Sequence, residues 1–138
     1  MPWAIVDTGI LYAMADEDDR WHAPVREYLE EQADDLIVPV TVLPEACYLI
    51  NTYVGQAAER RFVLSLVQGE MRIEGLADSD LPRTSNLLER YSDANIGFVD
   101  ASVVAVAERL KIRRLLTTDR RHFAAIRPRH CPRFELLP

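Results

Sequence analysis

The sequence predicts an α/β fold built on a parallel sheet. Short, continuously apolar runs recur along the chain, the mark of strands covered on both faces. Between them lie segments whose apolar residues follow helical spacing. Strands alternating with helices in this way mean βαβ units. The chain shows no internal repeat, low-complexity tract or linker, so the pattern belongs to one unit spanning 1–138.

Trp3-Ala4-Ile5-Val6 is the first such run. Val25, Tyr28, Leu29 and Ala33 then form an apolar stripe beside Glu27, Glu30 and Glu31, with Pro24 in a favourable first-turn position. The acidic run Asp16-Glu17-Asp18-Asp19 reads as a solvated turn between helices. Leu36-Ile37-Val38 and Leu115-Leu116 repeat the buried-strand pattern. Met71-Arg72-Ile73-Glu74 alternates like an edge strand, and Phe134-Glu135-Leu136 is a candidate last edge. Helices are expected over 41–54, 56–68, 80–92 and 100–111. The last is apolar almost all round through Ala107, so it belongs in the interior.

Composition narrows the function. At 138 residues and 49% hydrophobic, the chain is long enough to bury roughly two-thirds of its unfolded surface. Cys47 and Cys131 form neither a disulfide scaffold nor a Cys-x-x-Cys, and Cys47 reads as a small core residue. With no basic leader and no 18-residue apolar stretch, the expectation is a soluble, cytoplasmic domain away from membranes. The net charge of −6 is unevenly spread. Residues 1–50 carry −9, residues 51–107 carry −3, and residues 108–138 carry +6. A basic quarter on an acidic body is able to hold a polyanion beside an acidic site. Lys111, the only lysine, lies in Arg109-Leu110-Lys111-Ile112 and not in a P-loop. No dinucleotide glycine motif, nucleophile elbow or His-Glu-x-x-His is present, and His22, His122 and His130 lack zinc-ligand spacing. Chemistry on this chain must therefore run mainly on carboxylates.

In such a fold ligands sit beyond the carboxyl ends of the strands. Asp7 directly follows the first strand and Asp119 follows the strand at Leu115-Leu116. Asp100 opens the buried helix, and Glu45 stands after Pro44 near the start of another. Singly, these acids have ordinary explanations as caps, turns or dipole partners. Glu45 is the exception: with Val42, Tyr48 and Leu49 as its helical neighbours, it is expected to be partly desolvated. The fold gathers all four at one edge, where their repulsion calls for a divalent cation. Oxygen-only ligands suit Mg²⁺ or Mn²⁺ better than zinc, and such an ion activates water and stabilises charge on phosphate.

The pattern Ile5-Val6-Asp7-Thr8, Pro44-Glu45, Tyr91-Ser92-Asp93, Val99-Asp100-Ala101 and Leu116-Thr117-Thr118-Asp119-Arg120-Arg121-His122-Phe123 resembles the PIN-domain ribonucleases, and within them the VapC-type toxins of toxin–antitoxin pairs. The resemblance runs over nearly the whole chain, and its final stretch is the most specific piece. It implies a three-layer fold with a five-stranded parallel sheet in the order 3-2-1-4-5. It implies that Asp7, Glu45, Asp100 and Asp119 hold Mg²⁺ around an RNA phosphodiester, with Thr117 as a supporting polar contact. It further implies hydrolysis to a 5′-phosphate and a 3′-hydroxyl, a homodimer, and a small antitoxin that blocks the site.

Arg120, Arg121 and His122 follow directly on Asp119 and are candidate contacts to flanking phosphates. Thr8 and Asp93 are candidate supporting residues. An aspartyl-phosphate phosphatase wants a second acid two residues beyond Asp7, where the chain has Gly9. A phospho-receiver domain wants an acidic pair after the first strand and a lysine after the last core strand, and the chain has neither. Two readings stay beside the toxin: an RNA-processing PIN enzyme outside any toxin pair, and a silent module that binds a partner through its acidic pocket.

Overall fold

The computed structural model describes residues 3–32 and 34–138, so Ala33 of the expected helical stripe lies outside the described residues. Strand β1 (Trp3–Val6) is the axis of the molecule. Its Ala4, Ile5 and Val6 are at most 1% exposed, as a run without polar alternation requires. Helices α1 (Thr8–Ala15) and α2 (His22–Glu31) lead to β2 (Asp35–Pro39). The pair α3 (Val42–Tyr53) and α4 (Gln56–Val67) precedes β3 (Arg72–Glu74). Helix α5 (Asp80–Arg90), a short 3-10 turn over Ser92–Ala94 and α6 (Phe98–Leu110) then return the chain to β4 (Arg114–Leu116). Helix α7 (Arg120–Ala125) and β5 (Glu135–Leu137) close the fold.

The sheet is parallel throughout, in the order β3-β2-β1-β4-β5. Ile5 pairs with Ile37 on one side and with Leu115 on the other, so β1 is covered at both edges. Helices flank the sheet, giving the three-layer α/β arrangement that the sequence predicts. Among the described residues no helix is long and apolar enough to cross a membrane.

Helix α6 is buried continuously from Ala101 to Ala107, which is why apolar residues occupy every side of it. It begins two residues earlier than expected, at Phe98, so Asp100 stands within its first turn. Helix α7 is a larger departure. Six residues with only Phe123 buried carry no readable apolar period, and the segment looks like a turn in sequence. The acidic run is a turn, as expected, although Asp16 and Asp19 are half-buried; Asp19 Oδ2 closes the turn ahead of α2 by accepting from the Trp21 amide at 2.9 Å. His22 makes a local contact, with Nδ1 2.6 Å from the Ala13 carbonyl oxygen.

Helices α5 and α6 are fastened by a bidentate ion pair. Arg83 Nε donates to Glu108 Oε1 at 2.7 Å and Nη2 to Oε2 at 3.0 Å, with both side chains at most 10% exposed. Burial pushes the Glu108 carboxyl up, but the Arg83 hydrogen bonds, the Arg129 amide and the two positive charges together hold it below the usual range. Removing one partner of a buried pair strands the other charge, so Glu108→Gln should cost about 3 kcal/mol at neutral pH. An acid with a lowered native pKa stabilises above its unfolded-state pKa and loses that contribution as pH falls through the native value. Urea unfolding should therefore show the gap between the two proteins narrowing in acid.

Candidate active site

The carboxyl ends of β1 and β4 meet because these strands are neighbours. The Asp7 amide donates to the Leu116 carbonyl at 3.0 Å, extending the ladder by one bond. Immediately beyond, the Thr117 hydroxyl donates to Asp7 Oδ2 at 3.0 Å and accepts from the Asp119 amide at 2.9 Å. One fully buried hydroxyl thus ties both strand-end aspartates together. Gly9 permits the approach: a β-carbon there would collide with Thr118 Oγ1.

Asp7, Glu45, Asp100 and Asp119 line one cavity of about 270 Å³, with Thr8, Gly9, Tyr12, Asp19, Trp21, Leu49 and Thr118. Glu45 and Asp100 arrive from the first turns of α3 and α6. Asp7 is only 5% exposed. Burial pushes its carboxyl up to about 7, with the charges of Asp100 and Glu45 adding to the rise and the Thr8 amide and Thr117 hydroxyl opposing it. Asp100 is raised as well, by burial first, then by the charges of Asp119 and Glu45, with His122 opposing. These are the marks of carboxylates brought together without enough positive charge.

Glu45 requires a correction. It is exposed, and Tyr48 on the same flank is 67% exposed, so the partial desolvation expected from its neighbours is absent. Of those neighbours Val42 packs into the core and Leu49 is half-buried, but Glu45 stands at the edge of that face, beside Tyr48, in solvent. What links Glu45 to the site is its place on the cavity wall and its charge acting on Asp7 and Asp100.

His122, a candidate RNA contact, lies on Asp119. Its Nδ1 is 2.6 Å from Asp119 Oδ2 and 3.9 Å from Asp100 Oδ2, and its amide donates to Asp119 Oδ1 at 3.2 Å. Asp119 is therefore the N-cap of α7, a relation legible in hindsight as an acid followed three residues later by histidine. Arg120 and Arg121 are exposed and do not line the cavity; the Arg120 guanidinium donates to the Pro138 carbonyl. Asp93 is exposed in the 3-10 turn and is not brought to the cavity either. Thr8 is there, 5% exposed, with a buried hydroxyl that has no partner.

Sequence reasoning did not single out Tyr12, whose hydroxyl donates to Asp16, or Trp21 and Thr118. A second unread link joins the two helix starts. Thr41 Oγ1 lies 2.6 Å from Ser102 Oγ, which itself donates to the Val99 carbonyl at 2.7 Å, so Thr41 is the donor. No periodicity signals a contact across 61 residues.

The residues fit a divalent cation. Hard oxygen donors converge, Thr8 offers an unpartnered buried oxygen, and ligand atoms of Asp100, Asp119 and His122 lie within 4.8 Å of one another.

A parallel 3-2-1-4-5 sheet with acids gathered beyond its carboxyl edge defines a class of α/β domain, and comparison with known proteins makes the class specific. The PIN domain model matches residues 4–127, and the chain belongs to the PIN-domain family. It is 36% identical over 134 residues to Ribonuclease VapC26 of Mycobacterium tuberculosis, covering 97% of this chain and 99% of that protein. The crystal structure of M. tuberculosis VapC20, described as a sarcin–ricin-loop cleaving toxin, matches with a TM-score of 0.82 and 21% identity over 88% of this chain and 94% of its own. A toxin–antitoxin complex from Klebsiella pneumoniae matches at a TM-score of 0.69 and 21% identity, covering 89% and 92%.

Repulsion and burial at Asp7 make a stability prediction. Without divalent metal, Asp7→Asn should raise the melting temperature at mildly alkaline pH, by several degrees or roughly 1–3 kcal/mol, because the amide removes a costly buried charge. A loss of stability in differential scanning calorimetry would show instead that the carboxylate is satisfied by the protein alone.

Proposed function

We propose that this chain is a metal-dependent endoribonuclease, the toxin of a toxin–antitoxin pair, that hydrolyses RNA phosphodiester bonds. The observation that carries the reading is the convergence of Asp7, Glu45, Asp100 and Asp119 on one cavity at the carboxyl edge of a PIN domain. Identity to a ribonuclease along almost the full length of both chains supports it.

Asp7, Asp100 and Asp119 would hold Mg²⁺, with Mn²⁺ as a substitute, and Glu45 would complete the set from the exposed wall. A bound divalent ion supplies a water acidic enough to attack at neutral pH and neutralises charge on the phosphate oxygens. The chain's own contribution is placement. Thr117 fixes Asp7 and the start of the Asp119 segment, and the Thr41–Ser102 bond fixes the helix starts that carry Glu45 and Asp100. His122 holds both oxygens of Asp119 through its ring and amide. Thr8 has a free buried hydroxyl to receive a water beside Asp7. No side-chain nucleophile is required, and the products are a 5′-phosphate and a 3′-hydroxyl.

Arg120 and Arg121 would meet phosphates flanking the cut, a reading that their exposure just beyond Asp119 supports. An antitoxin partner accords with the solved neighbours, several of which are toxin–antitoxin complexes, and a homodimer accords with the family resemblance.

Purified chain incubated with total RNA should cut it in Mg²⁺ or Mn²⁺ and not in EDTA. Asp100→Asn should lower the rate by about 100-fold or more, the scale on which single electrostatic contributors to catalysis act. Undiminished cleavage by a folded Asp100→Asn protein would remove the site assignment.

A further inference from the structure

Helix α6 connects the acidic edge to a second cleft. Its 13 residues span about 20 Å, with Asp100 in the first turn and Glu108 and Arg109 in the last, about 13 Å further along the axis. There a cleft of about 290 Å³ opens between Asp80, Arg83, Glu108, Arg109, Lys111 and Arg129.

The acids of this cleft are already matched. Asp80, only 2% exposed, meets Arg109 at 3.0 Å, and Glu108 meets Arg83 at 2.7 Å. Lys111 and Arg129 are exposed and take part in none of the ion pairs found among the described residues. Two more exposed arginines flank them. The Arg113 carbonyl accepts from the Glu135 amide at the entry to β4 and β5, and Arg133 lies two residues before that contact. The basic quarter of the sequence, net +6, thus supplies four exposed cations outside those ion pairs to the end of the molecule opposite the carboxylates.

Lys111 shows that this placement has a cost. It ends α6 in the left-handed conformation, φ +57°, where glycine or asparagine is the less costly choice. The chain puts its only lysine there. The helix dipole favours a cation at that position, but it does not account for arginines delivered from the other segments.

An acidic protein that cuts RNA at an acidic edge repels its substrate at the point of reaction. We propose that the cleft and its basic rim are a second RNA-docking site, which binds backbone phosphates of a substrate long enough to reach from the carboxylate edge to the far end of α6. This rests on the ribonuclease reading above. Phosphate contacts of this kind position a substrate without reading its sequence.

The test measures binding by fluorescence anisotropy in the full chain carrying Asp100→Asn. One probe is a labelled stem–loop RNA longer than the domain is wide, and the other is a labelled trinucleotide from its loop. Adding Lys111→Glu with Arg129→Glu should weaken stem–loop binding about tenfold or more. The slope of log affinity against log salt should flatten by about 1.5, the value for two lost phosphate contacts. Trinucleotide affinity should not change. Lys111→Gln with Arg129→Gln, which removes charge without reversing it, should give an intermediate loss. An unchanged stem–loop affinity and slope, or an equal loss on both probes, would overturn the site. A parent chain that binds neither RNA would overturn the ribonuclease reading and this site with it.

Discussion

A carboxylate sealed at the end of the central strand governs the design of this molecule. Asp7 leaves β1 almost without solvent, and its one side-chain donor is the Thr117 hydroxyl. The parallel pairing of β1 with β4 brings that hydroxyl into place, and the same oxygen accepts the amide that begins the Asp119 segment. Burial and two further acids, opposed only by the Thr8 amide and the Thr117 hydroxyl, leave the carboxyl well above its ordinary range. The fold has concentrated negative charge where water cannot disperse it, and an ion that is not part of the chain is the natural complement.

Much of this was legible in the sequence for a definite physical reason. Strands covered on both faces must be apolar without alternation, so Trp3–Val6, Leu36–Val38 and Leu115–Leu116 identify themselves, and with them the strand ends that carry Asp7 and Asp119. Helix α6 is read the same way, because a helix buried on every side admits no polar stripe. What the sequence does not display is the direction a mixed surface faces. Val42, Tyr48 and Leu49 beside Glu45 are compatible with core or solvent, and packing divided them: Val42 is buried in the core, while Tyr48 and Glu45 itself face solvent. Nor do six residues of α7 make a period, so the capping of α7 by Asp119, which accepts the His122 amide, was hidden in a run that suggested RNA contact.

Charge is the clearest case of sequence proximity telling only part of the arrangement. Asp119, Arg120 and Arg121 are adjacent in the chain, which suggested an acidic site with basic groups at its side. In space much of the basic segment turns away: Arg109 and Arg114 are consumed in ion pairs, while Lys111, Arg113, Arg129 and Arg133 lie around the opposite ends of α6 and β4. The molecule is electrically polar along α6, and that polarity follows from topology as much as from composition.

The central claim, that the acidic cavity is built for a divalent cation, is tested most directly by titrating Mn²⁺ into the metal-free chain in a calorimeter, with Asp100→Asn beside it. The account predicts saturable binding to the unaltered chain, weakened at least tenfold by the substitution. A folded chain that takes up no ion, or a substituted one that binds as well as its parent, would contradict it.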